Sequence, residues 1–490
     1  MTQEEIKKIL NIGVLLSSER DPNKLLEYIL NCVMELSHCD AGTLYLLENG
    51  SLQFRIMRNN TLKVFLGGDG ILPNLPAVPL APENICARAL LENQSINIAN
   101  ITECSDYDFS GSAKYDAMTG YHTQSMLAVP MQNRKGKKLG VLQLINAMDA
   151  DGNIRPFPDD MTLVLESVAS QAAITIQNVR YLREIQELFH SFVRVMSSAI
   201  DERSPYNGNH TRHMVACGDR FLDYLNHEAQ STGKCPPFSP ERREEFLMSI
   251  WLHDIGKLVI PLEIMDKPTR LLPEQHKSFL HRMEVIQLLG KIDSLSGKKN
   301  NWEQIIKETK SAEILVESIN TTGYVTDENL SELELLAQKK YVDMDGEEHP
   351  WLTLDEYAML TIRKGTLSKE ERSIMESHVT MTDKLLSQIK FSPELSHVRT
   401  WAAAHHEYLN GSGYPYHLSE GKIPMEVRIL TILDIFDALT ADDRPYKPGM
   451  PVEKALSVLQ DMAIKEEKLD PELVYHFIMS RCWENISLSF

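Results

Sequence analysis

No CxxC pair occurs anywhere in this 490-residue sequence, and its seven cysteines (Cys32, Cys39, Cys86, Cys104, Cys217, Cys235 and Cys482) follow no regular spacing. An odd, scattered set excludes a disulfide framework and fits reduced thiols. No stretch approaches the roughly 18 uncharged apolar residues of a membrane span. The start, MTQEEIKKIL, lacks the basic-then-apolar pattern of a signal peptide. Together these absences predict a cytoplasmic protein with no membrane segment. Positive charge is scarce too: 50 Lys+Arg face 69 Asp+Glu, a net charge of −19. That balance excludes wrapping a nucleic-acid polymer or docking on an anionic membrane, both of which need a basic face. A small phosphate ligand stays open, because a few local cations can dominate one pocket. With 43% hydrophobic and 24% charged residues, the chain is globular and long enough for several domains.

Residues 4–38 read as two helices meeting near Pro22, striped by Ile6, Ile9, Leu10, Val14 and Leu15, then by Leu25, Ile29, Val33 and Leu36. Strand-like runs follow at 41–48, 51–57, 124–131 and 140–147, with Asn49-Gly50 as a two-residue hairpin turn between the first two. An irregular, ligand-facing middle spans 72–121. The pattern predicts an α+β sensory module built on antiparallel strands. The segment YDAMTGYHTQSMLAVP (115–130), followed by GVLQLIN (140–146), resembles the central part of a GAF domain. Cyclic-nucleotide-binding members of that family carry an Asn-Lys … Phe … Asp-Glu signature. Here Ala147 follows Asn146, and Pro158 follows Phe157, so the signature is broken. A small ligand of another kind and a purely dimerising GAF domain both stay open.

Neither proline nor glycine occurs between residues 161 and 200. Val168, Ala172, Thr175, Val179 and Leu182 step at heptad spacing, as do Ile185, Leu188, Phe192, Val195 and Ala199, with an extra step of three between the runs. One reading is a helix packed on its own domain; the other, preferred, is a signalling helix paired across a homodimer. Beyond residue 200 the pattern is almost all helical. Residues 270–360 interrupt it with helical segments near 273–292, 301–321 and 327–341, separated by polar turns.

The chemistry concentrates in histidines and carboxylates. LMSIWLHDIGKLVIP (247–261) sets adjacent His253 and Asp254 at the end of an apolar helical run. A lone His-Asp pair is a weak signal, but His210 lies upstream and His378, adjacent His405 and His406, and Asp434 lie downstream. Histidine is only 16 of 490 residues, so a back-to-back pair leading into Glu407 and GSGYP is unusual. Five imidazoles and two carboxylates can hold two divalent ions, with Asp254 giving one oxygen to each.

HDIGK (253–257) with HHEYLNGSGYP (405–415) resembles the HD-GYP family of metal-dependent phosphodiesterases acting on cyclic di-GMP. Ile423-Pro424, Arg428-Ile429, DIFDALT (434–440) and Arg444-Pro445-Tyr446-Lys447 continue the resemblance. It implies a multidomain protein: an α+β GAF domain (1–160), a connecting helix (161–200) and an all-α HD domain (201–490) with a helical insertion (270–360). It further implies two ions, iron or manganese, held by His210, His253, Asp254 and Asp434 on one side and by Asp254, His378, His405 and His406 on the other.

The histidine of the family's KPGxL…M..H block has two candidate locations. Fifteen residues after Lys267 stands Arg282, with His281 one place early, whereas 15 residues after Arg363 stands His378. A one-residue slip turns a helical side chain by about 100°, so His378 is taken as the ligand and about 95 residues as inserted between Lys267 and Arg363. Asp254 and Lys257 are implied as catalytic. Lys257, Tyr414, Arg444 and Lys447 are implied as substrate-binding, the cations on the ligand's phosphodiesters. Asp437, three residues after Asp434, is expected to support the ligands rather than join them. Tyr206 stands where some members place a third-metal glutamate, and His213 where the family has arginine; His213 reads as an extra imidazole at the site or, the preferred reading, as a helix-surface residue. The implied reaction opens cyclic di-GMP to pGpG and onward to GMP under GAF control. Hydrolysis of 3′,3′-cyclic GMP-AMP and a catalytically weak binding module are the alternatives.

Overall fold

The structure is a computed structural model that describes residues 21–68, 70–71, 73–133, 135–203, 209–233, 238–297, 301–441 and 449–486. The helix expected before residue 21, and Tyr206, Cys235, Arg444 and Lys447, lie outside the described residues. The chain divides into two compact units, Met1–Phe189 and His190–Phe490.

In the first unit, helix α1 (Pro22–Ser37) starts where the Asp21 carboxylate accepts the N–H groups of Asn23 and Lys24. It ends at His38, whose φ of 50° turns the chain into β1 (Cys39–Glu48). There follow β2 (Ser51–Asn59), β3 (Val64–Gly67), β4 (Val78–Pro79), α2 (Ile85–Glu92), β5 (Ile96–Ile98), α3 (Ser110–Thr119), β6 (Met126–Gln132), β7 (Lys138–Met148), β8 (Ile154–Arg155) and α4 (Asp159–Asp201). The sheet is antiparallel in the order β3-β2-β1-β7-β6-β5, with β4 on β2 and β8 on β7. Asn49 and Gly50 take φ of 49° and 76° and set Glu48 opposite Ser51, the hairpin their sequence calls for. Side chains alternate between two apolar layers. Leu44, Leu46, Val129 and Leu142 pack with Leu25, Ile29, Leu165 and Ala172 from α1 and α4. Tyr45, Ala128 and Val141 face Ile85, Ala89 and Leu90 of α2. The middle expected as irregular thus carries two helices. Asn84 opens α2 by accepting from the N–H groups of Cys86 and Ala87.

Helix α4 behaves differently along its two heptad runs. Val168 and Ala172 are buried in the core of the first unit. Leu182, Ile185, Leu188, Phe192 and Val195 are instead 59–71% exposed.

The second unit begins within α4, at His190, and continues with α5 (His210–Thr232), α6 (Pro240–Leu252), a 3-10 turn (Ile255–Val259) and α7 (Leu262–Met265). The inserted segment holds α8 (Pro273–Leu295), α9 (Trp302–Thr321), α10 (Asp327–Ala337), a hairpin of β9 (Lys340–Val342) and β10 (Glu348–Pro350), and α11 (Leu354–Leu360). Then come α12 (Lys369–Leu386), α13 (Val398–Ala402), α14 (Met425–Thr440), α15 (Val452–Ile464) and α16 (Pro471–Ser480). The hairpin departs from the all-helical expectation. The Asp343 carboxylate accepts from the N–H groups of Asp345 and Glu347 and Gly346 takes a φ of 88°, which folds DMDGE back on itself.

Two cores result. Phe221, Phe246, Leu430, Leu433, Phe436 and Phe477 fill one, and Phe279, Met283, Val316, Leu333, Trp351 and Leu360 fill a separate one inside the inserted segment. The ends of that segment meet. Thr366 Oγ1 donates to the Lys267 carbonyl at 3.0 Å, and Lys267 Nζ donates to both oxygens of Glu371 at 2.7 and 2.8 Å. The two rival motif copies are therefore halves of one structure: the lysine of the first anchors the helix that follows the second. Between them Arg270, fully buried, donates to the carbonyls of Ile319, Thr322 and Ile362.

Candidate metal centre

Five helical elements and the turn after them deliver the seven expected ligands to one buried point. His210 opens α5, His253 and Asp254 follow α6, His378 lies midway along α12, His405 and His406 follow α13, and Asp434 faces inward from α14. Asp254 sits at the middle. Its Oδ2 lies 3.2 Å from His253 Nε2 and 3.8 Å from His210 Nε2. Its Oδ1 lies 3.5 Å from His378 Nε2 and 4.0 Å from His405 Nε2. Asp434 Oδ1 is 3.4 Å from His210 Nε2, and its Oδ2 is 3.8 Å from His406 Nδ1. Donor atoms of His210, His253 and Asp434 lie within 4.8 Å of one another, as do those of His378, His405 and His406. His281, the alternative third ligand, is exposed on α8 and outside this cluster.

The backbone fixes the rings. His253, His378 and His405 each donate Nδ1–H at 2.7 Å to the carbonyl three residues earlier: Ile250, Met375 and Ala402. Each Nε2 lone pair is thereby turned to the centre. His253 Nε2 is buried without a hydrogen-bond partner, a state that costs on the order of 1–3 kcal/mol unless something accepts the lone pair. A divalent ion does so, and the donor set of imidazoles and carboxylates suits one.

Electrostatics divide the five imidazoles: burial disfavours the charge on His210 and His253, but Asp434 and Asp437 outweigh it and raise His210 to about 10, and Asp254 likewise raises His253. Burial pushes the His406 imidazole down to about 4 and also lowers His378 and His405, favouring the neutral, ligating form. Burial opposes ionisation of Asp254, but His253 and Lys257 outweigh it and hold the carboxyl well below its usual range. Asp434 is held low in the same way by its hydrogen bond with His210.

Packing is tight where it must be. Gly256 lies so close to α12 that an added Cβ would fall 1.8 Å from the His378 carbonyl oxygen and 2.6 Å from the Thr382 nitrogen. Thr382 spans the junction, donating to the His253 carbonyl at 2.9 Å and accepting from Gly256 N–H at 3.0 Å. Sequence reasoning passed over both residues, because their role exists only once α12 arrives. It also placed His213 on the surface. The structure instead pairs His213 Nδ1 with Asp437, whose other oxygen accepts from His210 Nδ1 at 2.6 Å. The i, i+3 spacing of both pairs was the available signal.

Two expected substrate contacts border the cluster. Lys257 Nζ is 2.6 Å from Asp254 Oδ2. The Tyr414 ring lies 4.8 Å from that of His406, inclined by 32°. The buried Glu407 shapes the Gly-Ser-Gly-Tyr-Pro loop by accepting from the N–H groups of Tyr416 and Leu418 at 2.6 and 2.9 Å.

Residues 21–176 match the GAF domain family, and residues 354–473 match the HD domain family. The chain carries a GAF domain followed by an HD domain. The HD match starts inside the inserted segment, so it covers His378, His405, His406 and Asp434 but stops short of His210 and His253. Among curated proteins the chain is similar to the 3′3′-cGAMP-specific phosphodiesterase 3 of Vibrio cholerae, 38% identical over 110 residues, 22% of this chain and 23% of that one. It is similar to the cyclic di-GMP phosphodiesterase of Thermotoga maritima, 36% identical over 24% of this chain and 31% of that one. The cyclic di-GMP phosphodiesterase response regulator RpfG of Xanthomonas campestris is 34% identical over 24% of this chain and 31% of its own length. The matched segments thus span only 23–31% of these relatives. No described helix is long and apolar enough to cross a membrane.

Proposed function

We propose that this protein is a metal-dependent phosphodiesterase that opens cyclic di-GMP to linear pGpG, and onward to GMP, under control of its GAF domain. The observation that carries the reading is Asp254: its Oδ2 faces His210 and His253 and its Oδ1 faces His378 and His405, a placement that would serve two divalent ions. The names of the relatives point to the same substrate class. His210, His253, Asp254 and Asp434 would hold one ion, and Asp254, His378, His405 and His406 the other, iron or manganese given so imidazole-rich a set. Such ions, bound there, would supply an activated water and offset charge on the phosphoryl oxygens.

The remaining work falls to the chain. Lys257, an ammonium only 20% exposed at its side chain, stands beside Asp254 where it can meet the scissile phosphate. Its proton is firmly held, since the Asp254 charge outweighs the opposing effect of burial. Lys257 therefore acts as a fixed cation rather than as a base. Tyr414 offers a ring at the rim for a guanine, and Arg444 and Lys447 would neutralise the ligand's other phosphodiester.

The exposed run from Leu182 to Val195 supports pairing of two copies along α4, a homodimer in which a small ligand at the GAF domain would act through that helix. The free cysteines among the described residues fit a cytoplasmic setting. The test is turnover by manganese- or iron-loaded protein on cyclic di-GMP and, separately, on 3′,3′-cyclic GMP-AMP, read by chromatography. Formation of pGpG, lost in His253→Ala and Asp254→Ala, supports the proposal. Full activity in those variants ends it.

A further inference from the structure

The last turn of α4 and the two residues that follow it are fastened to both sides of the metal centre. On one side Asp201, only 3% exposed, accepts a hydrogen bond at 3.0 Å from the hydroxyl of Thr211, the residue after His210. One turn earlier Ser198 Oγ accepts from Arg212 at 3.0 Å. On the other side Arg203 Nη1 donates to the carbonyls of Lys257 and Leu258, both at 2.6 Å, and Nη2 to that of Ile260 at 3.0 Å. These carbonyls close the 3-10 turn Ile255–Val259, whose final oxygens have few partners of their own. A guanidinium suits them because it is planar, always charged and a donor along two edges. The backbone of Lys257 directly, and His210 through its neighbour Thr211, are thus both tied to the end of α4 and the two residues after it.

We propose that Asp201 and Arg203 are positioning residues, a two-point clamp through which α4 sets the geometry of His210 and Lys257. Neither touches the ligand cluster's donor atoms. Arg203 acts on Lys257 through the backbone of its turn, and Asp201 acts on His210 through Thr211. A shift of the end of α4 therefore changes the metal centre at two places at once, which gives a sensory helix purchase on turnover. The catalytic part of this inference rests on the phosphodiesterase reading; the clamp itself does not.

The experiment uses the full-length, manganese-loaded protein and three readouts: kcat and KM on cyclic di-GMP, hydrogen–deuterium exchange of the 255–260 amides, and manganese bound per chain. Arg203→Gln is expected to lower kcat by about 10–100-fold, the scale of a small misplacement of a reacting group. KM should change little, and exchange at 255–260 should rise. Arg203→Lys, which keeps the charge but not the two-edged donor, is expected to recover part of both. Asp201→Ala is expected to reduce bound manganese, and Asp201→Asn, whose amide oxygen still accepts from Thr211, to restore it. Wild-type kcat and wild-type exchange in Arg203→Gln would overturn the clamp on that side; unchanged manganese in Asp201→Ala would overturn it on the other. Should Arg203→Gln fail to fold, Arg203→Lys and the Asp201 pair carry the test. Should the wild type turn over no cyclic dinucleotide, the phosphodiesterase reading falls, while exchange and metal content still decide the clamp.

Discussion

Asp437 accepts the Nδ1 proton of His210 at 2.6 Å and so turns the other ring nitrogen toward Asp434. His213 holds the second oxygen of the same carboxylate. Asp437→Asn keeps the shape but lets the side chain present a donor, which no longer selects that tautomer. Manganese affinity is expected to fall by about 10–100-fold, measured by titrating Mn(II) into metal-free protein. An unchanged isotherm would mean that His210 is oriented by packing alone.

Gly256 has no room for a methyl group, with the His378 carbonyl 1.8 Å from where a Cβ would sit. Gly256→Ala must push α12 away from the turn that holds Asp254. A loss of about 1–3 kcal/mol is expected from overpacking, with less than the full complement of metal bound. Elemental analysis beside a melting curve checks both. A fully loaded variant with an unaltered melting temperature would count against the packing argument.

Arg282, the residue that occupies the expected ligand offset after Lys267, pairs instead with Glu356 at 2.8 and 3.0 Å inside the inserted segment. Burial works against the Glu356 charge, but Arg282 outweighs it and lowers the carboxyl below its ordinary value. A depressed folded value means that the pair's stabilisation is complete above the unfolded value of about 4.3 and is lost as pH falls through the folded one. Protection of the 271–360 amides, corrected for the intrinsic exchange rate at each pH, should therefore fall on acidification below about pH 4.3, and Glu356→Gln should remove that contribution. Identical acid profiles for the variant and the wild type would contradict this.

Leu188 and Val195 are 71% and 67% exposed on the second heptad run of α4. Glutamates at both positions would set charge against charge across a paired helix. The Leu188→Glu/Val195→Glu variant is expected to weaken self-association by at least about 100-fold, a hot-spot loss near 3 kcal/mol, as read by sedimentation. If its mass matches that of the wild type, pairing lies elsewhere.

How much of this was legible in the chain differs from residue to residue. The hairpin at Asn49-Gly50 was, because two adjacent residues with positive φ carry their own instruction. That His210, His253, Asp254, His378, His405, His406 and Asp434 gather in one place was, through the adjacent His405-His406 pair and the resemblance to the HD-GYP family that selected His378. Helices α2 and α3 were not, being short segments with mixed faces inside a polar stretch. Nor were Gly256, Thr382 and His213, whose work depends on partners 126 to 224 residues away that leave no local pattern. The heptad steps marked α4 correctly as a helix but did not tell that Val168 and Ala172 face inward whereas the heptad positions from Leu182 to Val195 are exposed.

The hydrogen bond between Thr366 and the carbonyl of Lys267 joins positions 99 residues apart. The segment between them begins and ends at one place and has its own apolar interior. Evolution, or an experimenter, can therefore trim, exchange or relabel that appendage as one piece, and the spacing of the buried histidines beneath it need not change.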